Sequence, residues 1–155
     1  MNELVYRNLS EDEKRQICAW KYGGEYDLYN LPSYEEMQVR QIGFMNPQRE
    51  KNYYGFWDES ILVGFVNILE EKEEVFIGIG VNPDLCNKHY GQRMLLITYE
   101  ISKKLYPNKP LYLEVRTWNI RAVKCYQKAG FRIDGQAYEL TTVIGTGTFY
   151  RMIRE

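Results

Sequence analysis

The sequence predicts an α+β fold, a sandwich around a mixed sheet, and three observations predict it. Segments with strand-like alternation outnumber those with helical spacing, in the order β-α-α-β-β-β-α-β-α-β-β. Short turns join some neighbouring strands as hairpins, while others are separated by a helix, as in βαβ crossovers. The chain has 155 residues, is 45% hydrophobic and is 26% charged, which suits a single globular domain over residues 1–155.

The elements follow in order. Leu4 to Asn8 alternates like a short strand, and Ser10-Glu11-Asp12-Glu13 is a capping box that opens a helix to about Trp20. Lys21 to Pro32, rich in Gly, Tyr and Asn, reads as loop or broken helix. Ser33 and Glu36 repeat the capping pattern and start a second helix, ending near Gly43. Tyr53–Trp57 and Ile61–Leu69 read as a hairpin around Asp58-Glu59-Ser60, and Val75–Val81 follows an acidic turn. Met94, Ile97, Ile101 and Leu105 recur at helical spacing within Tyr90–Leu105. Leu111–Val115 is a strand, and Asn119 is an N-cap for a helix that Gly130 ends in a left-handed turn. Two last strands are expected near Phe131–Leu140 and Thr148–Ile153, joined through Gly145-Thr146-Gly147.

Composition excludes several classes. A formal net charge of −1 leaves no basic surplus for nucleic acid. No apolar run approaches the roughly 18–20 residues that span a bilayer, and Met1-Asn2-Glu3-Leu4 lacks the layout of a signal peptide. Cys18, Cys86 and Cys125 are odd in number and widely spaced, without a metal-ligand pattern. A reduced, cytoplasmic protein without a metal, a nucleic-acid partner or a membrane span is expected.

The chemistry is concentrated between Ile77 and Phe131. Ile77-Gly78-Ile79-Gly80-Val81 places two glycines inside a strand, either for tight packing or for close approach of a ligand. Val81-Asn82-Pro83 then turns toward a helix that begins near Gly91, where unpaired amides and the helix dipole suit a phosphate. The third piece, after a strand, is Asn119-x-x-Ala122-x-x-x-Tyr126-x-x-x-Gly130-Phe131.

This last pattern resembles the second signature block of the GCN5-related N-acetyltransferase (GNAT) superfamily. The Val-x-Pro turn, with Gly91 eight residues after Pro83, resembles the first block, which binds the CoA pyrophosphate. The resemblance covers residues 53–140 well and implies an α/β/α sandwich around a mixed, mostly antiparallel central sheet. Cys86 stands where the family usually has Arg or Gln, and Asn87 and His89 stand where it has Gly. Asn tolerates a left-handed backbone, so position 87 keeps the turn, while His89 either turns outward or donates to a phosphate oxygen.

The resemblance implies transfer of an acetyl group from acetyl-CoA to a primary amine of a small molecule or peptide, directly within a ternary complex. Ile79, Val81, Cys86, Asn87, Lys88, His89, Gly91, Gln92, Asn119 and Tyr126 would bind the cofactor. The pantetheine arm would lie where two parallel strands, Val75–Val81 and Leu111–Val115, splay apart, pairing with the edge near Ile79 and Val81. A backbone N–H there would hold the thioester oxygen. Tyr126 would protonate the leaving thiolate, unless it is a core tyrosine packed at helical spacing with Ala122 and Ala129. Glu114 would be the general base, as in ribosomal-protein N-terminal acetyltransferases, or else a structural partner of Arg116. Cys125 is expected to pack as a small apolar residue.

Trp20, Tyr22, Tyr26 and Tyr29, interleaved with Glu25 and Asp27, either form an aromatic, acidic pocket for a cationic amine or pack the N-terminal helices onto the sheet. A non-catalytic acyl-CoA sensor is the alternative to an enzyme. A homodimer is compatible with either.

Overall fold

The computed structural model describes residues 3–142 and 144–155 of the chain; Met1 and Asn2, part of the N-terminal stretch considered above, lie outside them. Eight strands form one sheet: β1 (Val5–Asn8), β2 (Tyr53–Asp58), β3 (Ile61–Glu70), β4 (Val75–Val81), β5 (Leu111–Arg116), β6 (Arg132–Ile133), β7 (Tyr138–Thr142) and β8 (Gly145–Arg154). The helices are α1 (Glu11–Ala19), α2 (Tyr34–Arg40), α3 (Tyr90–Leu105) and α4 (Ile120–Lys128). The strand order is β1-β2-β3-β4-β5-β8-β6, with β7 also on β8. Five of the pairings are antiparallel and β4–β5 is parallel, so the sheet is mixed and mostly antiparallel.

The chain divides into two compact units, Met1–Asn67 with Ile79–Tyr90, and Ile68–Gly78 with Gly91–Glu155. In the first, Ser10 caps α1 by accepting from the Glu13 amide, and the Glu13 carboxylate returns to the Ser10 N–H at 2.9 Å. Ser33 caps α2 in the same way, but the Glu36 carboxylate takes Arg40 one turn on. The helix stops at Arg40 because Gln41 adopts a left-handed backbone (φ +51°), three residues before the sequence suggested. The loop between α1 and α2 is a 3-10 helix over Gly24–Tyr29. Ile17, Met37, Phe44, Tyr53 and Leu62 are buried together, with Trp20 and Phe65 against them.

In the second unit α3 buries Met94, Leu95, Thr98, Ile101 and Ser102, while Leu105 is 51% exposed. The buried stripe is therefore rotated from the apolar spacing of the sequence. Thr98 can be buried because its hydroxyl returns to the Met94 carbonyl at 2.8 Å. Helix α4 ends in a Schellman motif: Gly130 (φ +97°) donates to Gln127 and Phe131 to Tyr126.

The C-terminal strands correct the sequence reading. The single strand expected over Phe131–Leu140 is two, β6 and β7, both paired with β8. Residues 134–137 bulge out opposite Tyr150 and Arg151, with Gly135 left-handed (φ +77°) and the Asp134 amide on the Arg151 carbonyl. The Gly145-Thr146-Gly147 segment is not a connection but the start of β8. A Cβ at Gly147 would meet the guanidinium of Arg116, which is 92% buried and lies 4.8 Å from the Phe149 ring centroid.

Candidate functional site

In the first unit, the end of β4 runs into a loop. The Asn82 amide donates to the Val63 carbonyl, so the Val81 carbonyl of the same peptide points away from β3, to the other edge of β4. That carbonyl accepts the Tyr22 phenol at 2.6 Å. Tyr22 is itself held by Asn30, whose side chain accepts from the Tyr22 amide at 2.6 Å. The sequence reading missed Asn30, although an Asn after a Gly- and Tyr-rich stretch is a common turn stabiliser.

Gly80 lies beside Phe65, where a Cβ would overlap the ring. Phe65 in turn packs against Trp20, Phe44 and Tyr53. Tight packing therefore accounts for this glycine, with an aromatic cluster as the neighbour. Trp20 belongs to the same cluster, whereas Tyr26 and Tyr29 are half-buried on the 3-10 helix with Glu25 and Asp27 exposed.

The loop beyond Val81 keeps two left-handed residues, Asn87 (φ +67°) and His89 (φ +66°), the two positions where glycine was expected. His is enriched, like Asn, among the few residue types that tolerate this region. Asn87, Lys88 and His89 are exposed, while Ile79, Val81 and Cys86 are half-buried. The Cys86 thiol faces the Asn82 carbonyl at 3.8 Å, within the loop. The loop thus offers an exposed cation at Lys88 and a backbone shaped by side-chain residues instead of glycine.

In the second unit, β4 pairs with β5 through Val75↔Leu111 and Phe76↔Tyr112, and among the described residues the ladder stops there. Gly91 is buried in the first turn of α3, and Gln92 beside it is half-buried. Asn119 is buried and caps α4 by accepting from the Ala122 amide at 3.2 Å. Tyr126 is half-buried on α4. Burial pushes the neighbouring Cys125 thiol up, which keeps it protonated.

Glu114 lies on β5 opposite Arg151 of β8. It makes no ion pair with Arg116 or Arg151. Arg151 is committed elsewhere, by two nitrogens to Glu74 at 2.6 and 2.8 Å, by Nε to Asp134 at 3.1 Å and over the Tyr112 ring at 4.4 Å. These contacts hold its guanidinium charged well above the ordinary arginine range, the Glu74 hydrogen bonds contributing most. Glu114 instead accepts the Tyr138 phenol at 2.6 Å. Tyr138 was not among the residues singled out from the sequence, because its place depends on the bulge between β6 and β7.

No helix among the described residues is long and apolar enough to cross a membrane. Among them no cluster of three or more His, Cys, Asp or Glu could hold a metal ion.

Comparison with known proteins follows the same lines. Solved structures with this fold include an acetyltransferase (GNAT family) from Bacillus anthracis, 16% identical with a TM-score of 0.79, covering 98% of this chain and 94% of that one. The spermidine N-acetyltransferase from Vibrio cholerae in complex with CoA and spermine is 18% identical with a TM-score of 0.77, covering 97% and 94%. AAC(6')-Ib in complex with ribostamycin and coenzyme A is 16% identical with a TM-score of 0.73, covering 99% and 93%. At these identities the likeness is one of fold. No curated protein matches the chain. The model of the acetyltransferase (GNAT) family matches residues 7–131, and the chain belongs to that family.

Proposed function

We propose that the protein transfers an acetyl group from acetyl-CoA directly to a primary amine of a small, cationic acceptor within a ternary complex. The observation that carries this reading is the loop from Val81 to Gly91. Asn87 and His89, where the family usually has glycine, adopt the left-handed backbone that glycine favours, which supports a loop that keeps its turn despite the departures in sequence. Lys88 adds an exposed positive charge beside amides at the start of α3, which suits a pyrophosphate. Cys86 lacks the hydrogen-bonding head of the usual Arg or Gln, and this loop would grip phosphate through backbone and Lys88.

The acceptor nitrogen attacks the thioester carbonyl, the carbon–sulfur bond breaks, and two protons must move. Glu114 takes one from the amine, directly or through a water, and Tyr126 gives one to the leaving thiolate. The β4–β5 ladder, limited among the described residues to Val75↔Leu111 and Phe76↔Tyr112, is in keeping with an extended arm pairing with the rest of β4. A small cationic acceptor is favoured by the exposed Glu25 and Asp27 among half-buried tyrosines. It is also in keeping with the spermine and ribostamycin named for the structures of like fold, both of which carry several amines.

The test is release of free thiol from acetyl-CoA in the presence of spermine, spermidine, ribostamycin, single amino acids and peptide N-termini. Turnover fastest with the polyamines or the aminosugar supports the proposal. Preference for peptide N-termini removes the acceptor class, and CoA binding without turnover across the panel points to a sensing domain.

A further inference from the structure

We infer that Tyr138 is a positioning residue of the acetyl transfer, holding the Glu114 carboxylate in place without neutralising it. The inference rests on the reading of Glu114 as general base. Its origin is the sheet register. Glu114 is opposite Arg151, and Tyr138 is opposite Phe149, two residues along the same face of β8. The Tyr138 side chain therefore reaches over β8 to meet a carboxylate on β5, 24 residues away in sequence, at 2.6 Å.

Cross-strand neighbours of opposite charge usually pair, and a Glu114–Arg151 ion pair would be the ordinary outcome of this register. The structure prevents it. Three nitrogens of Arg151 are taken by Glu74 and Asp134, and its plane lies over Tyr112. Arg116 is turned onto Phe149. Among the described residues Glu114 has no ion pair, and its hydrogen bond comes from a neutral donor.

The difference matters chemically. An arginine partner would stabilise the ionised carboxylate so strongly that it would be a poor proton acceptor. A phenol fixes the direction of one oxygen and restrains the side chain, and it brings no positive charge to the carboxylate. Burial pushes the Tyr138 phenol well above its ordinary range, and Glu114 adds to the shift, so it stays protonated and remains the donor. Glu114 itself is exposed, so an incoming ammonium can reach it.

A double-mutant cycle tests this, using acetyl-CoA and whichever acceptor of the panel above turns over fastest, with thermal melting to check that each variant is folded. Tyr138→Phe keeps the ring and is expected to lower kcat about 10-fold while acceptor KM moves less than about 2-fold, as for a group that acts on the reacting geometry. Glu114→Gln is expected to lower kcat about 100-fold. The double variant should be no slower than Glu114→Gln, within about 3-fold, because Tyr138 then has no carboxylate to position. Losses that add, or a Tyr138→Phe effect confined to KM, would mean that Tyr138 acts on the acceptor directly, and the proposal falls. Wild-type kinetics for Tyr138→Phe with a slow Glu114→Gln would overturn the positioning role and leave the base intact. Wild-type kinetics for Glu114→Gln, or no turnover with any acceptor, would remove the base and the proposal together.

Discussion

The Tyr22 phenol donates a 2.6 Å hydrogen bond to the Val81 carbonyl, tying the loop between α1 and α2 to the edge of β4. Because that carbonyl faces away from β3, this bond joins the segment proposed to meet the acceptor to the edge proposed to meet the pantetheine arm. Tyr22→Phe should cost about 1 kcal/mol in a urea unfolding midpoint, the usual net worth of such a bond. Amide exchange over residues 21–30 should rise in the same variant. Unchanged exchange would show that other contacts hold the loop without this bond.

The loop at residues 86–89 makes a prediction of opposite sign at its two left-handed positions. Asn87→Val puts a β-branched residue at φ +67° and should destabilise by about 1–2 kcal/mol. It should also weaken acetyl-CoA binding in calorimetry. His89→Gly relieves a side chain at φ +66° and should raise the melting temperature while leaving acetyl-CoA binding equal or tighter. Loss of binding in His89→Gly would give the imidazole a role in holding phosphate.

Gly80→Ala drives a methyl into the Phe65 ring, which Trp20, Phe44 and Tyr53 hold in place. Chemical denaturation should register a loss of about 1–3 kcal/mol. Combining it with Phe65→Leu should recover part of the loss, since the smaller side chain makes room. A fully additive double variant would mean that the clash is not the cause.

Tyr126 and Cys125 are neighbours on α4, and one variant of each separates their roles. Tyr126→Phe should lower kcat about 100-fold, with the acetyl-CoA dissociation constant unchanged. Cys125→Ala should retain kcat within about 2-fold, because burial keeps the thiol protonated and unreactive. An acetylated Cys125 trapped by mass spectrometry would overturn direct transfer.

Much of this was legible in one dimension because the signals are local. Ser10 with Glu13, Asn119 with Ala122, and Gly130 with Phe131 act within five residues, and each cap formed as its residue types require. The bounds of α3 and β4 matched for the same reason. The segment from Phe131 to Ile153 did not, because its strands have a common partner, β8, and a bulge whose size depends on pairing.

What the sequence determined by itself is the fold class, the family blocks and the identity of Tyr126, Asn119 and Glu114 as candidates, since periodicity, capping and motif spacing are properties of the chain alone. The tertiary structure decided who their partners are. Glu114 could have paired with Arg116 two residues away; it is joined to Tyr138 instead, because Glu74 and Asp134 engage Arg151 while Arg116 lies on Phe149. Tyr22 could have been one more packing aromatic; the peptide orientation at Val81 gave its phenol an acceptor. Hydrogen bonds of this kind depend on register and on competition among donors for each acceptor, and neither exists until the strands are side by side.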